Sequence, residues 1–133
     1  MKLKLISALE TFGFPVMLQG SMNAEDAYPD TFITFWCDST EDNSHFENDV
    51  QSVDWHFSVI LYSNNPELVN TKPSEIISAL KHAGFIAQGK GQDILSDEPT
   101  HTGWAMDFVA TEQKELYKEK RNEQEIRTAQ RSF

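Results

Sequence analysis

The sequence predicts an α+β fold: an antiparallel sheet with two main helices packed on one face, plus a polar C-terminal helical tail. Three observations predict it. Residues 53–62 alternate between an apolar and a mixed face, as a strand does. A capped amphipathic helix follows, entered at Asn65-Pro66-Glu67 and closed by Gly84. The chain has 133 residues, a length that favours one core over two.

The remaining elements follow in order. Leu3, Ile6, Leu9 and Phe12 predict a short N-terminal helical stripe ended by Gly13 and Pro15. Residues 15–19 read as a brief strand, and the polar stretch 20–30 as a loop. Aromatic and β-branched side chains from Phe32 to Cys37 predict a strand, and 38–49 a polar loop, the two flanking strands forming a long hairpin. In the hairpin's second strand Val53, Trp55, Phe57, Val59 and Leu61 share one face, opposite Asp54, His56, Ser58, Ile60 and Tyr62. Thr71-Lys72-Pro73 repeats the helix-entry signal, after which Ile76, Ile77, Leu80 and Ala83 line one side. Residues 85–88 look extended, Gly89 and Gly91 loosen the chain or mark a turn, and 96–103 form a loop. A closing strand alternates Trp104, Met106 and Phe108 with Ala105, Asp107 and Val109. This divides the chain into a domain over 1–110 and a tail over 111–133.

The net charge of −10 is unevenly spread. Between Lys4 and Lys72 there are eleven acidic residues and no Lys or Arg, whereas the chain from Thr111 onward carries six basic residues against five acidic ones. A body of one negative sign repels phosphate backbones, which disfavours conventional nucleic-acid binding. No stretch approaches the roughly 20 apolar residues of a membrane helix. Glu10 also interrupts the opening where a signal peptide would stay apolar, so a cytosolic site of synthesis is expected. Cys37 is the sole cysteine, so it forms no disulfide within the chain and reads as a small buried hydrophobe.

Catalytic and metal-binding patterns are missing from the sequence. Asp38, Thr40 and Asp42 place oxygen side chains at alternate positions, as a calcium loop begins. Asn43 then stands where the sharp turn wants glycine, and Asp49 where a bidentate glutamate belongs. His45, His56, His82 and His101 have no zinc-binding spacing, no serine sits in a nucleophile elbow, and Gly89-Lys90-Gly91 is too short for a phosphate loop. Asp97-Glu98 reads as a solvated loop pair rather than an acid–base couple. Trp36, Trp55 and Trp104 lie in apolar strands and read as core or interface. The expectation is a protein without an active site, cofactor or resident metal.

Residues 30–110 resemble the small tail-completion or tail-terminator-like proteins of tailed phages and prophages. The resemblance is carried by FITFWCDSTEDNSHFENDV, by WHFSVILYSNNPELVNTKPSEIISALKHAGF and by GKGQDILSDEPTHTGWAMDF. It implies a helix, antiparallel strands, a second helix and a closing strand, with subunits in a ring, commonly of six. It also implies a virion assembly role: capping the head-proximal end of the tail tube and joining it to the head. Partners would be further copies of the chain, the tail tube protein and a head-completion or connector protein, without a membrane. DNA would pass through the lumen unbound, and the protein would move from host cytoplasm to virion tail.

An acidic wall suits such a lumen, because like charge keeps DNA from sticking. The loop carrying Asp38, Glu41, Asp42, Glu47 and Asp49 is therefore expected to face the lumen or a docking partner, although acids also keep any small domain in solution. In the tail, Leu116, Tyr117 and Ile126 are the only large apolar residues before the last, so a helix there needs a neighbouring subunit or partner for support. A second reading from another class is an acidic DNA mimic that inhibits a nucleic-acid-binding protein.

Overall fold

The computed structural model describes residues 1–21, 27–46 and 49–113, with only the backbone at 43–46 and 49–51. In chain order the elements are α1 (Lys2–Glu10), β1 (Val16–Leu18), β2 (Thr31–Phe46), β3 (Asp49–Ser63), α2 (Pro66–His82), β4 (Ile86–Ala87), β5 (Gln92–Leu95) and β6 (Thr102–Gln113). The six strands form one sheet in the order β1-β2-β3-β6-β4, with β5 also paired to β6. The α+β class holds, but the sheet is mixed. β1 runs parallel to β2, with Val16 beside Ile33 and Leu18 beside Phe35, while every other pairing is antiparallel.

The alternation read in β3 is the alternation of the fold. Phe57, Val59 and Leu61 are buried on the face that also receives Ile33 and Phe35 of β2 and Met106 and Phe108 of β6. Onto this face pack Leu5 and Leu9 of α1 and Ile76 and Leu80 of α2. Each such side chain contributes roughly 1.5–3 kcal/mol through burial. The opposite face carries a smaller cluster of Phe32, Ile60 and Tyr62, flanked by Tyr28, Trp36 and Ile94.

Three local expectations need correction. In α1 the buried pair is Leu5 and Leu9, while Leu3 is exposed. Residues three apart slip by about 60° per step around a helix, whereas i and i+4 are offset by only about 40°. Helix α2 starts at the first of its two entry signals: the Asn65 side chain accepts from the Glu67 backbone N–H at 3.2 Å, and the helix runs through Pro73. Pro73 forfeits one backbone donor, but it is buried, which offsets part of that cost. The expected polar loop at 38–49 is largely strand, because β2 continues to Phe46 against β3. β3 offers an unbroken backbone ladder there, so pairing, rather than side-chain polarity, decides the conformation.

β5 also escaped the sequence reading, since its polar residues become a strand only against the edge of β6. β6 extends past the expected domain limit at Ala110, to Gln113. Part of the expected 20–30 loop lies outside the described residues.

Phe57 is fully buried, its ring edge-on to Phe85, whereas Trp55 is half-buried and stacks on Phe57. Phe57→Ala is expected to cost about 3–5 kcal/mol and Trp55→Ala distinctly less. Urea denaturation of both variants checks this, and equal losses would show that the two rings share one environment.

Candidate functional site

The sheet face away from the helices and the outer half of the β2–β3 ribbon hold the polar residues that the core does not absorb. β2 changes register between Cys37 and Ser39, so Cys37 pairs with Phe57 and Ser39 with His56. Asp38 occupies the bulge and turns to the open face, where its carboxylate accepts from Trp36 Nε1 and, at 2.7 Å, from Ser58 Oγ. Asp107 of β6 approaches the same Ser58 oxygen at 3.0 Å. A hydroxyl carries one hydrogen, so it serves one of these carboxylates at a time. Asp38 is thus an exposed acid that joins a side-chain network, on a strand rather than in a loop.

Further along the ribbon, Glu41 of β2 pairs directly with Asp54 of β3, a like-charge pairing. Thr111 Oγ1 softens it by donating to Asp54 at 2.6 Å, while His56 Nε2 lies 3.8 Å from Glu41, beyond hydrogen-bond distance. Asp42 pairs with Val53 on the helix-side face. The bulge thus sends Asp38 and Asp42 to opposite faces, so the alternate oxygens that resembled a calcium loop do not converge. Among the described residues, no group of three or more His, Cys, Asp or Glu side chains could hold a metal ion. Of the remaining predicted site residues, Asp49 opens β3 opposite Phe46. Glu47, Leu116, Tyr117 and Ile126 lie outside the described residues.

A second feature was not read from the sequence. Where β1, β2 and β3 meet the segment after β5, a cleft of about 540 Å³ opens on the face away from the helices. Its inner wall includes Phe32, stacked on Tyr62 with ring centroids 5.1 Å apart, and Thr34. Gly103 makes room for this arrangement, because a Cβ there would lie within 3 Å of the Tyr62 ring and the Ile94 side chain. Thr34 is 5% exposed and its hydroxyl has no hydrogen-bond partner. Asp97 and Glu98 supply the carboxylates of the cleft.

The loop bearing them is held in place. Ser96 Oγ accepts from the Glu98 N–H at 3.2 Å, and the His101 N–H donates to the Glu98 carbonyl at 3.1 Å. The buried His101 ring meets the Pro29 carbonyl through Nε2 at 2.8 Å, which requires Nε2 to carry a proton. Thr100 Oγ1 partners Nδ1 at 2.9 Å. The only sequence signs of this cleft were the apolar residues on the mixed face of β3 and the acidic pair in the loop. Neither sign reveals that residues 17, 34, 62 and 97 meet.

Burial, then the Asp97 carboxylate, then Tyr28 hold the Tyr62 hydroxyl above the ordinary tyrosine range, against a hydrogen bond from Gln19 that pulls it down. The folded protein therefore keeps this proton more tightly than the unfolded chain. That contribution to stability is complete below the unfolded tyrosine pKa near 10 and is lost as pH rises toward the folded value. Tyr62→Phe is expected to flatten the alkaline fall in stability measured by denaturation across that window. An unchanged alkaline slope would count against the assigned environment. Asp38→Asn is expected to keep or raise the melting temperature, since its amide both accepts from Trp36 and donates toward Ser58 or Asp107. A fall of several degrees would show that the Asp38 charge itself stabilises the bulge.

No known family model matches the chain, and no curated protein matches it.

Proposed function

We propose that this chain is a virion assembly protein of the tail-completion type, which closes the head-proximal end of a tail tube as a homo-oligomeric ring and catalyses no reaction. The observation that carries this reading is the β2–β3 hairpin, which bears Asp38, Glu41, Asp42 and Asp54 without a Lys or Arg on either strand. The main core cluster takes no residue from Asp38 to Asp42, so this stretch of β2 is not needed to fill the core. A hairpin whose two strands carry acids and no Lys or Arg suits a lumen that DNA must cross without adhering. The order of helix, strands, second helix and closing strand is also the order that the resemblance implies. No described helix is long and apolar enough to cross a membrane.

The test combines mass and complementation. Sedimentation of the protein alone and with tail tube protein is expected to give a discrete ring, and supplying the gene is expected to restore complete tails to a phage that lacks it. A protein that stays monomeric under both conditions and is dispensable for tails would sink the proposal. Salt-sensitive binding to a basic DNA-binding enzyme would replace it with the DNA-mimic reading. Truncation after Gln113, which spares β6, is expected to leave the circular dichroism spectrum of the domain intact while weakening ring formation. Full complementation by the truncated protein would remove the tail from the mechanism.

A further inference from the structure

We propose that the first turn of α1 and the last turn of α2 together form a cationic docking surface, and that its occupant is the acid-bearing β2–β3 hairpin of a second copy of this chain. This contact rests on the ring reading and names what joins neighbouring subunits. Of the four lysines before Lys90, Lys2 and Lys4 open α1 and Lys81 lies in the last turn of α2, whereas Lys72 is engaged with Glu75 at 2.8 Å. Packing brings the two turns together. Lys4 Nζ lies 5.9 Å from the centre of the Phe85 ring, and a Cβ on Gly84 would sit 3.2 Å from the same nitrogen. Gly84 donates its N–H to the Lys81 carbonyl at 3.1 Å, so the Lys4 ammonium reaches the turn that ends α2. Lys2, Lys4 and Lys81 are exposed, and among the described residues none has a carboxylate within ion-pair distance.

Between Lys2 and Lys4 stands Leu3, 79% exposed although its spacing with Ile6 and Leu9 predicts a place in the core. Successive helix residues are about 100° apart, so Leu3 lies on the far side of α1 from the buried Leu5, with a lysine on either flank. Such a surface suits a partner that covers the leucine and meets the cations with carboxylates. The chain itself is such a partner. Its net charge is −10, and Asp38, Glu41 and Asp42 are exposed on β2, with no Lys or Arg on either strand of the hairpin. β1 pairs with β2 only from Ile33 to Phe35, so among the described pairings the acid-bearing stretch lies at the margin of the sheet, where another molecule can reach it. Within one chain no described lysine pairs with a hairpin acid. A contact between two different surfaces of identical subunits is heterologous, and such contacts close into rings or run on as filaments. A nucleic acid also offers anions, but the acidic body opposes its approach.

The experiment follows self-association of the full-length protein by sedimentation at low and high salt. The wild type is expected to form a discrete assembly that loosens as salt rises. The Lys2→Glu, Lys4→Glu, Lys81→Glu variant and the Glu41→Lys, Asp42→Lys variant are each expected to associate at least about tenfold more weakly, since each sets like charges against one another at the contact. Mixing these two variants, each folded by circular dichroism, is expected to restore assembly, because each then meets opposite charge on the other. Lys2→Gln, Lys4→Gln, Lys81→Gln, milder for the fold, is expected to weaken association in the same direction. Leu3→Ser is expected to weaken it at both salt levels without changing the melting temperature, because the side chain is exposed. Assembly of the lysine variants with wild-type affinity, or a mixture that stays apart, would overturn this contact while a wild-type ring left the assembly reading standing. A wild type that is monomeric alone and with tail tube protein would overturn both. Binding of duplex DNA that the three Lys→Glu substitutions abolish would assign the lysines to phosphate instead.

Discussion

Strand β3 is hydrogen-bonded along both of its edges, to β2 from Asp49 to Ser63 and to β6 from Ser52 to Ser63, and this double pairing is the constraint on which the rest of the molecule depends. A strand held on two sides cannot slip by one residue without moving Phe57, Val59 and Leu61 from the helix face to the open face. The register therefore fixes at once which residues build the main core, where α1 and α2 pack, and which residues are left for the other surface. β6 inherits its alternation from the same ladder. Met106 pairs with Val59 and Phe108 with Phe57, so that three adjacent strands present one continuous apolar floor to the helices.

The same ladder explains how a run of acids can be strand. Backbone donors and acceptors on β3 remain to be satisfied beyond the core, and β2 satisfies them whatever side chains it carries. The electrostatic conflict is then handled locally. The bulge at Asp38 separates acids that strict alternation would align, and hydroxyls from Thr111 and Ser58 act as donors to the Asp54 and Asp38 carboxylates. The result is an acid-bearing stretch of β2 built on ordinary backbone pairing with β3.

On the open face the sheet is only partly covered, and the cleft forms where cover is incomplete. β1 and β5 approach this face from opposite margins of the sheet, and the segment from Ser96 to His101 is tied back to Pro29 by the His101 ring. Phe32, Tyr62 and Ile94 fill part of the space, and the Thr34 hydroxyl beside them is buried without a hydrogen-bond partner.

The sequence by itself determined the α+β class, the alternation of β3, the Asn65 cap of α2, the closing strand and the acid-only stretch before Lys72. Each of these is local: period-2 patterning, cap chemistry and composition act over a few residues and leave a signature there. Only the tertiary structure decided the parallel pairing of β1, the extension of β2 through its polar residues, the strand at Gln92–Leu95 and the passage of α2 through Pro73. These depend on whether a partner edge or a packing surface is present, and no local pattern encodes that. The cleft is the clearest case. Met17, Thr34, Tyr62 and Asp97 are scattered along the chain, and their polar and apolar groups gain a shared meaning only when strand order and register bring them to one recess.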